Sequence, residues 1–476
     1  MTEATSAAQG IVVVGGGIAG LAGAHRVLEL SAARGERVPL SIVEAGARLG
    51  GTIASERIDG FLVESGADSF LTEKPWALDL CRRLGIEDRL IGTRDDQRRT
   101  FVVHAGRLHP LPEGFLLLAP TRLWPLVTSS LFSWPGKLRM ACDLVLPRGG
   151  SATGDESLAS FVTRRLGREA LERVAQPLAG GIYTADPVRL SLAATMPRFL
   201  EMERCHRSLI LAMRRAAKAN AARGSGARWS LFVSFAEGMQ TLVGALAQRL
   251  PEGSVRLGAR ALALAPRRAG GWRVTLDGGA VLEAARVLVA TPAFAAADLL
   301  RSLDGTLAAE LAAIPYASSA TVTLAYDRGA VTHPLDGFGF VVPAIERRGL
   351  IACSFSSVKY VGRAPEGSAL LRVFCGGALA EQMVTLSDAA LVAAARRELS
   401  ELLGIEVEPR FTRVHRYPRA MPQYQVGHLE RVAAIEARLA RYPGLALAGN
   451  AYRGVGVPDC VHGGERAAEA LLAGAT

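Results

Sequence analysis

The sequence predicts an α/β fold, α+β overall, in which one parallel sheet is assembled from both ends and the middle of the chain and two further units are inserted into it. Three observations predict this. A short apolar run at 10–14 ends in glycines and is followed by a helical pattern at 19–30. A second apolar run at 40–44 completes a βαβ unit at the N-terminal end. The stretch 445–472 repeats the order of strand, glycine turn and helix.

Composition agrees with a multidomain globular protein. The chain has 476 residues, 49% hydrophobic and 21% charged. That is too long for one ordinary core and too apolar for disorder. The six cysteines, Cys81, Cys142, Cys205, Cys353, Cys375 and Cys460, form no C-x-x-C pair. This excludes a disulfide scaffold and a thiol zinc site and fits a reducing compartment, so no metal is expected. The net charge of +10 is carried mostly by scattered Arg rather than by a dense basic run. Nucleic acid is therefore not an expected partner, whereas anionic lipid head groups or a polycarboxylate substrate suit such a surface. No positive segment precedes an apolar stretch at the N-terminus, and no apolar run reaches the ~18 residues of a spanning helix, so the expected location is cytoplasmic.

Along the chain, 98–112 alternates and turns like a hairpin. The pattern from 111 to 218 is helical and mixed, amphipathic at 157–166 and at 204–218, and 221–228 reads as a glycine-rich linker. Segments 254–265, 271–277 and 281–290 read as an antiparallel meander returning to the first sheet. Segments 320–326, 337–342, 350–354 and 370–375 read as a second sheet, and 388–403 as a helix. The implied organisation is a dinucleotide-binding domain in three parts (10–97, 221–300 and 411–476), a hairpin plus helical unit (98–220) and a substrate-binding sheet unit (301–410).

Gly15-Gly16-Gly17-Ile18-Ala19-Gly20 fits G-x-G-x-x-G, and it sits between a strand and a helix as a Rossmann-like site requires. Gly15 permits the tight turn, Gly17 the backbone approach to a pyrophosphate and Gly20 close helix–strand packing. The helix N-terminus offers unpaired N–H groups to the phosphates. Glu44, ending the second strand, is placed for the ribose hydroxyls, and an acid there favours a 2′-hydroxyl over a 2′-phosphate.

After Glu44 comes Ala45-Gly46-Ala47-Arg48-Leu49-Gly50-Gly51-Thr52. This E-x-x-x-R-x-G-G run resembles the extension found in flavoproteins of the amine-oxidase and phytoene-desaturase superfamily, and the resemblance implies FAD. Arg48 can reach the pyrophosphate, and Gly50 and Gly51 let the chain pass close to the flavin. Gly66-Ala67-Asp68-Ser69 resembles the superfamily's flavin-contacting G-x-x-S, and Ala261 joins the implied cofactor set. In the tail, Gly449-Asn450 and Val455-Gly456-Val457-Pro458-Asp459 read as a loop and a helix start, with Pro458 at the first helical position and Asp459 in the first turn. The resemblance directs this helix N-terminus at the N1/C2=O edge of the isoalloxazine. There it would stabilise anionic reduced flavin by ~0.3–1 kcal/mol if exposed and up to ~2 kcal/mol if partly buried.

Met421-Pro422-Gln423-Tyr424-Gln425-Val426-Gly427-His428-Leu429, with the tail above, is similar to the oxygen-dependent, FAD-containing protoporphyrinogen oxidases and their coproporphyrinogen III relatives. Segments 106–112, 180–186, 206–209 and 337–343 add to a resemblance that spans the chain. It implies oxidation of protoporphyrinogen IX to protoporphyrin IX in haem synthesis, with coproporphyrinogen III to coproporphyrin III as the alternative. A hydride leaves a methine-bridge carbon for flavin N5, O2 reoxidises the flavin, and three rounds remove six electrons. The motifs contain no obvious general base, and the pyrrole nitrogens can lose their own protons. The resemblance casts the Gly181 carbonyl as acceptor for pyrrole N–H groups and Phe338, Val341 and Phe374 as apolar walls.

In many protoporphyrinogen oxidases an Arg ahead of the hairpin pairs with a substrate propionate. Here Thr100 takes that place and Arg99 lies one residue earlier. One residue reverses the face of a strand. Either the strand is shifted, or Arg99 serves from elsewhere, or propionate recognition differs. The stretch 115–134, broken by Pro120, Arg122 and Pro125, sits where the family carries membrane-associating helices. With Trp124, Trp134 and Lys137 it reads either as an interfacial anchor on the cytoplasmic face of the inner membrane or as a buried helix pair. An amine oxidase would place a Lys near flavin N5, and 320–326 contains none; the PQY…GH motif argues against a phytoene-type desaturase. Both a monomer and a homodimer fit the sequence.

Overall fold

The structure, a computed structural model, describes residues 10–112, 114–116, 119–120, 123–149, 154–222 and 230–473. The expected linker falls largely outside them, as does Arg122.

The N-terminal strand Ile11–Val14 is buried along its whole length and lies at the centre of a five-stranded parallel sheet. The order is Val255–Arg256, Leu40–Val43, Ile11–Val14, Arg286–Val289 and Leu445–Leu447. Burial on both faces explains why its central strand Ile11–Val14 is an unbroken apolar run. Helix Ile18–Ala33 packs against the C-terminal helix Val457–Ala473 at a crossing of small residues. A Cβ on Gly464 would lie 2.1 Å from the Ala19 carbonyl oxygen, and one on Gly23 would lie 3.0 Å from that of Gly464. The two ends of the chain therefore share one core.

The meander forms from Ala261–Pro266, Trp272–Leu276 and Val281–Ala284. Two of the expected strands divide between sheets. Val255–Arg256 and Arg286–Val289 pair in parallel with the first sheet, and the segments beside them pair antiparallel. Apolar runs record burial but not the change of partner.

A seven-stranded sheet runs in the order Phe411–Pro422, Tyr316–Asp327, Ser368–Gly376, Leu350–Phe355, Gly339–Val341, Thr100–His104 and Arg107–Pro110. It contains the four strands expected in the second sheet and two contributions from outside 301–410. The hairpin joins through Thr100 opposite Gly339, and the edge strand Phe411–Pro422 joins through Tyr316–Asp327. One face is covered by helix Asp388–Leu403, through Leu391, Ala395 and Leu399. The other face turns toward the dinucleotide domain and the helical unit.

The helical unit buries Leu158, Phe161, Val162, Leu166, Phe199 and Leu209. The helix expected over 204–218 is two helices, Pro197–His206 and Leu209–Ala222. Arg207 separates them with φ +65°. The cause is tertiary: the buried Asp143 carboxylate accepts from Ser208 Oγ (2.6 Å) and Ile210 N (3.0 Å) while paired with buried Arg165. A carboxylate removed from water must satisfy its oxygens locally, and the chain bends to do it.

Candidate functional site

The glycine loop is built as its spacing requires. Gly15 has φ +111°, and a Cβ on Gly20 would lie 1.9 Å from the Gly15 carbonyl oxygen. Gly17, the N-cap of helix Ile18–Ala33, differs from both: nothing lies within 4 Å of a Cβ built on it. Gly15 and Gly20 are fixed by the protein's own packing, whereas Gly17 faces open space at a helix N-terminus, where a phosphate fits. Ile18 and Ala19 form the first turn.

Glu44 accepts from Gly16 N at Oε2 (2.7 Å) and from Gly46 N at Oε1 (2.6 Å), which fixes the carboxylate beside the loop. Ala45 is exposed next to it. Gly258 N and Ala259 N donate to the carbonyls of Gly46 and Glu44, both at 2.9 Å, and so bring the strand that begins at Ala261 to the same place. Gly50 N donates to the Gly16 carbonyl (2.8 Å), and a Cβ on Gly51 would lie 3.4 Å from Gly17 Cα. Gly51 and Thr52 are exposed beside this approach. Arg48 donates to the carbonyls of Leu49 (3.1 Å), Ile53 (2.8 Å) and Gly51 (2.7 Å), so it also staples this turn. Gly66 packs on Thr52, where a Cβ would meet the carbonyl oxygen at 1.9 Å. From the other terminus, Gly449 (φ +131°) comes up beside Thr291.

Thr291 tests whether these residues suit a dinucleotide. It follows strand Arg286–Val289 and touches Gly15 as well as Gly449, and its Oγ1 is buried with no hydrogen-bond partner. A buried hydroxyl without a partner is costly. At the junction of two glycine turns, beside the open face of Gly17, a dinucleotide phosphate or ribose would satisfy it. The residues present fit the group.

Above this cradle stands the large sheet. Residues directly opposite in a ladder point to the same face. Val341, Ala352, Phe374, Thr321 and His415 are successive partners across five strands, and they form one row. Gly181, in the last turn of helix Gln176–Tyr183, faces this row: a Cβ on it would lie 4.0 Å from Val341 Cγ1. Phe338 precedes strand Gly339–Val341 and donates its N–H to the Arg99 carbonyl (2.8 Å). The Arg99 guanidinium is turned to Asp336 (2.6 Å) and is two-thirds exposed.

Between cradle and sheet lies a set of charges. Arg372 donates to the carbonyls of Ser65 and, at 2.6 Å, Gly66. It stacks 4.9 Å from the Phe374 ring, and its Nε is buried without a partner. Asp68 takes Lys359 (3.0 Å) and Ser69 Oγ (2.8 Å), and its carbonyl accepts from Ser234 Oγ (2.6 Å). Burial acts to raise the Asp68 pKa, but Lys359 and Arg372 outweigh it and hold the carboxyl well below its usual range. Burial, reinforced by Arg372, keeps the His415 imidazole below its ordinary value, which favours the neutral ring.

Thus the predicted glycine loop, Glu44, the Gly50–Gly51 turn, Gly66–Ser69 and Gly449 meet at one cradle. Helix Val457–Ala473 begins one residue before Pro458, with Val455 and Gly456 ahead of it. Sequence reasoning missed Thr291, Thr321, Lys359, Arg372 and His415. A charged residue within the apolar run 369–375 was the available signal for Arg372, because a buried guanidinium needs partners.

The family model for flavin containing amine oxidoreductases matches residues 18–472. Two curated relatives are coproporphyrinogen III oxidases. The chain is 36% identical to that of Bacillus subtilis (strain 168), covering 97% of both proteins. It is 38% identical to that of Propionibacterium freudenreichii subsp. freudenreichii, covering 97% of this chain and 90% of the relative. The crystal structure of a protein assigned as a protoporphyrinogen oxidase from Exiguobacterium sp. 255-15 superposes with a TM-score of 0.85 at 32% identity, over 97% of this chain and 98% of that one. The chain belongs to the flavin containing amine oxidoreductases and is an FAD-dependent oxidoreductase.

Proposed function

We propose that this enzyme oxidises a porphyrinogen to a porphyrin in haem synthesis, with coproporphyrinogen III as substrate and O2 as electron acceptor. Bound FAD supplies the two-electron acceptor for each step. The chain's residues supply the mould. One observation carries the reading: the row Val341, Ala352 and Phe374 is an apolar wall, and Gly181 faces it from a helix C-terminus. Carbonyls in the last turn of a helix lack intrahelical donors and carry partial negative charge. That is an environment for pyrrole N–H groups. Thr321, rather than an ammonium-bearing residue, stands in the row on strand Tyr316–Asp327, which speaks against an amine substrate.

The sequence expectation put protoporphyrinogen IX first. The coproporphyrinogen III oxidases of Bacillus subtilis and Propionibacterium freudenreichii support the reverse order, and the absence of an Arg at Thr100 agrees with it. Protoporphyrinogen IX is the second reading, favoured by the Exiguobacterium structure. Porphyrin fluorescence in air, measured with both porphyrinogens and with putrescine, tests the proposal. Higher kcat/KM for coproporphyrinogen III is expected, and turnover of the amine alone would overturn it.

Peripheral membrane contact from the cytoplasmic side is part of the same reading. No helix among the described residues is long and apolar enough to cross a membrane. In the helical unit, Leu126, Phe132 and Met140 are buried, while Trp124 (75%), Trp134 (64%) and Leu138 (67%) are exposed. Lys137 Nζ lies 4.6 Å over the Trp134 ring. An amphipathic pair with two exposed Trp and a partly buried Lys beside one of them suits a head-group interface.

A further inference from the structure

The PQY…GH motif has a place in the structure that neither the fold nor the proposed chemistry accounts for. Gln423, Tyr424 and His428 are all buried. The Tyr424 hydroxyl donates to the Asn450 carbonyl (2.5 Å) and accepts from Gly454 N (2.8 Å). The His428 ring stacks on Tyr424 at 3.9 Å with 13° between planes. Its Nε2 lies 2.9 Å from the Tyr452 carbonyl oxygen. A carbonyl only accepts, so Nε2 carries the proton, and burial favours the neutral ring. Three bonds from two side chains therefore hold three alternate residues, Asn450, Tyr452 and Gly454, of the loop that leads into helix Val457–Ala473.

The same segment is tied on its other side to the helical unit. Gln423 Nε2 donates to the Tyr183 carbonyl (3.2 Å), at the end of the helix that carries Gly181. Ser191 N donates to the Tyr424 carbonyl (2.8 Å), and Val426 N to that of Arg189 (2.9 Å). Gln423 N donates to the Pro315 carbonyl (2.8 Å), at the start of the sheet strand that bears Thr321. One eight-residue segment, 421–428, thus touches all three units where they meet.

We infer that Tyr424 and His428 are positioning residues that aim the N-terminus of helix Val457–Ala473 at the flavin, and that Gln423 fixes the Gly181 helix end relative to it. This rests on the reading that this helix faces the isoalloxazine and that Gly181 meets the substrate. The motif acts through the loop and the helix end and touches neither reactant itself.

The test uses the FAD-loaded full chain with Tyr424→Phe, His428→Leu, His428→Gln and Gln423→Leu. The readouts are the flavin's visible spectrum, its midpoint potential and the FAD Kd, none of which needs a porphyrinogen. Tyr424→Phe and His428→Leu are expected to shift the flavin band, lower the potential and weaken FAD binding roughly tenfold, the scale of one or two lost hydrogen bonds. His428→Gln, whose amide N–H can still donate to Tyr452, is expected to recover most of the effect. Gln423→Leu is expected to raise KM for the porphyrinogen while leaving the potential unchanged. Should Tyr424→Phe fail to fold, the two His428 variants carry the comparison. Wild-type spectrum, potential and Kd in variants that only melt earlier would overturn the inference. Altered potentials in an enzyme that oxidises no porphyrinogen would uphold the role of Tyr424 and His428 and discard the substrate reading instead.

Discussion

Replacing Gly17 by Val separates cofactor binding from folding, and the geometry sets both magnitudes. Gly17 has φ −71° and ψ 175°, a conformation open to any L-residue, and nothing lies within 4 Å of the new Cβ. Losing Gly at an N-cap costs about 0.5–1 kcal/mol, and the stiffer unfolded chain returns about 0.4–1 kcal/mol. The FAD-free variant should melt close to the FAD-free wild type. Cofactor binding is another matter, because the side chain fills the space through which the backbone reaches the pyrophosphate. Loss of one charge-assisted hydrogen bond (about 1.5–3 kcal/mol) with part of the helix-end attraction (about 0.3–1 kcal/mol) totals about 2–4 kcal/mol. That is a Kd roughly 30- to 1,000-fold weaker. Titration of the FAD-free protein, followed by quenching of flavin fluorescence, reads the Kd, and calorimetry reads stability. Gly20→Val is the contrast: its Cβ would meet the Gly15 oxygen at 1.9 Å, so that protein should lose stability first. A Gly17→Val protein that binds FAD within about threefold of wild type would refute the assignment of this loop.

Further expectations concern charge, pH and the membrane. Lys359→Met leaves the Asp68 carboxylate without its nearest cation and should cost about 2 kcal/mol, less than a fully buried pair because both groups keep some exposure. Adding Asp68→Asn should restore part of the loss, and additive losses in thermal melts would show that the two do not interact. Burial is the first cause holding His25, His109, His333, His415, His428 and His462 below the ordinary imidazole value of 6.5. Their contribution to stability is whole above pH ~6.5 and declines as pH falls toward the lowered folded values, because the unfolded chain takes up protons first. The depressed Asp68 carboxyl adds its own loss only below its ordinary value of 3.8. Melting temperature should therefore be flat from neutral to mildly basic pH and decline on acidification; a rise on acidification would contradict this. Trp124→Ser with Trp134→Ser should abolish flotation with anionic liposomes while leaving FAD content unchanged, and undiminished flotation would count against the interfacial reading.

What was legible in the sequence is what local chemistry determines. Gly15, Gly17 and Gly20 declare a phosphate turn by their spacing within six residues between a strand and a helix, and Glu44 follows from the length of the βαβ unit. The four central strands of the large sheet show by their apolar runs. Its edge strand Phe411–Pro422 did not show, because Arg413, Arg416 and Arg419 interrupt the pattern and Pro418 is tolerated only where one side of the strand is unpaired. The break at Arg207 is decided by Asp143, a buried carboxylate far away in sequence. Arg372 reaches the carbonyls of Ser65 and Gly66 across some three hundred residues. Gln423, Tyr424 and His428 stand out as a motif in the sequence, but their purpose depends on the Asn450–Gly454 loop and on Tyr183. Such partners are fixed by tertiary packing, and periodicity carries no record of them.

In the proposed reaction a porphyrinogen delivers its electrons to FAD held between the chain's two ends. Anaerobic mixing of the FAD-loaded enzyme with coproporphyrinogen III tests it directly. The visible flavin band is expected to bleach as porphyrin fluorescence appears, and admitting O2 is expected to restore it. A band that stays unchanged with both coproporphyrinogen III and protoporphyrinogen IX, in protein shown to contain FAD, would contradict it.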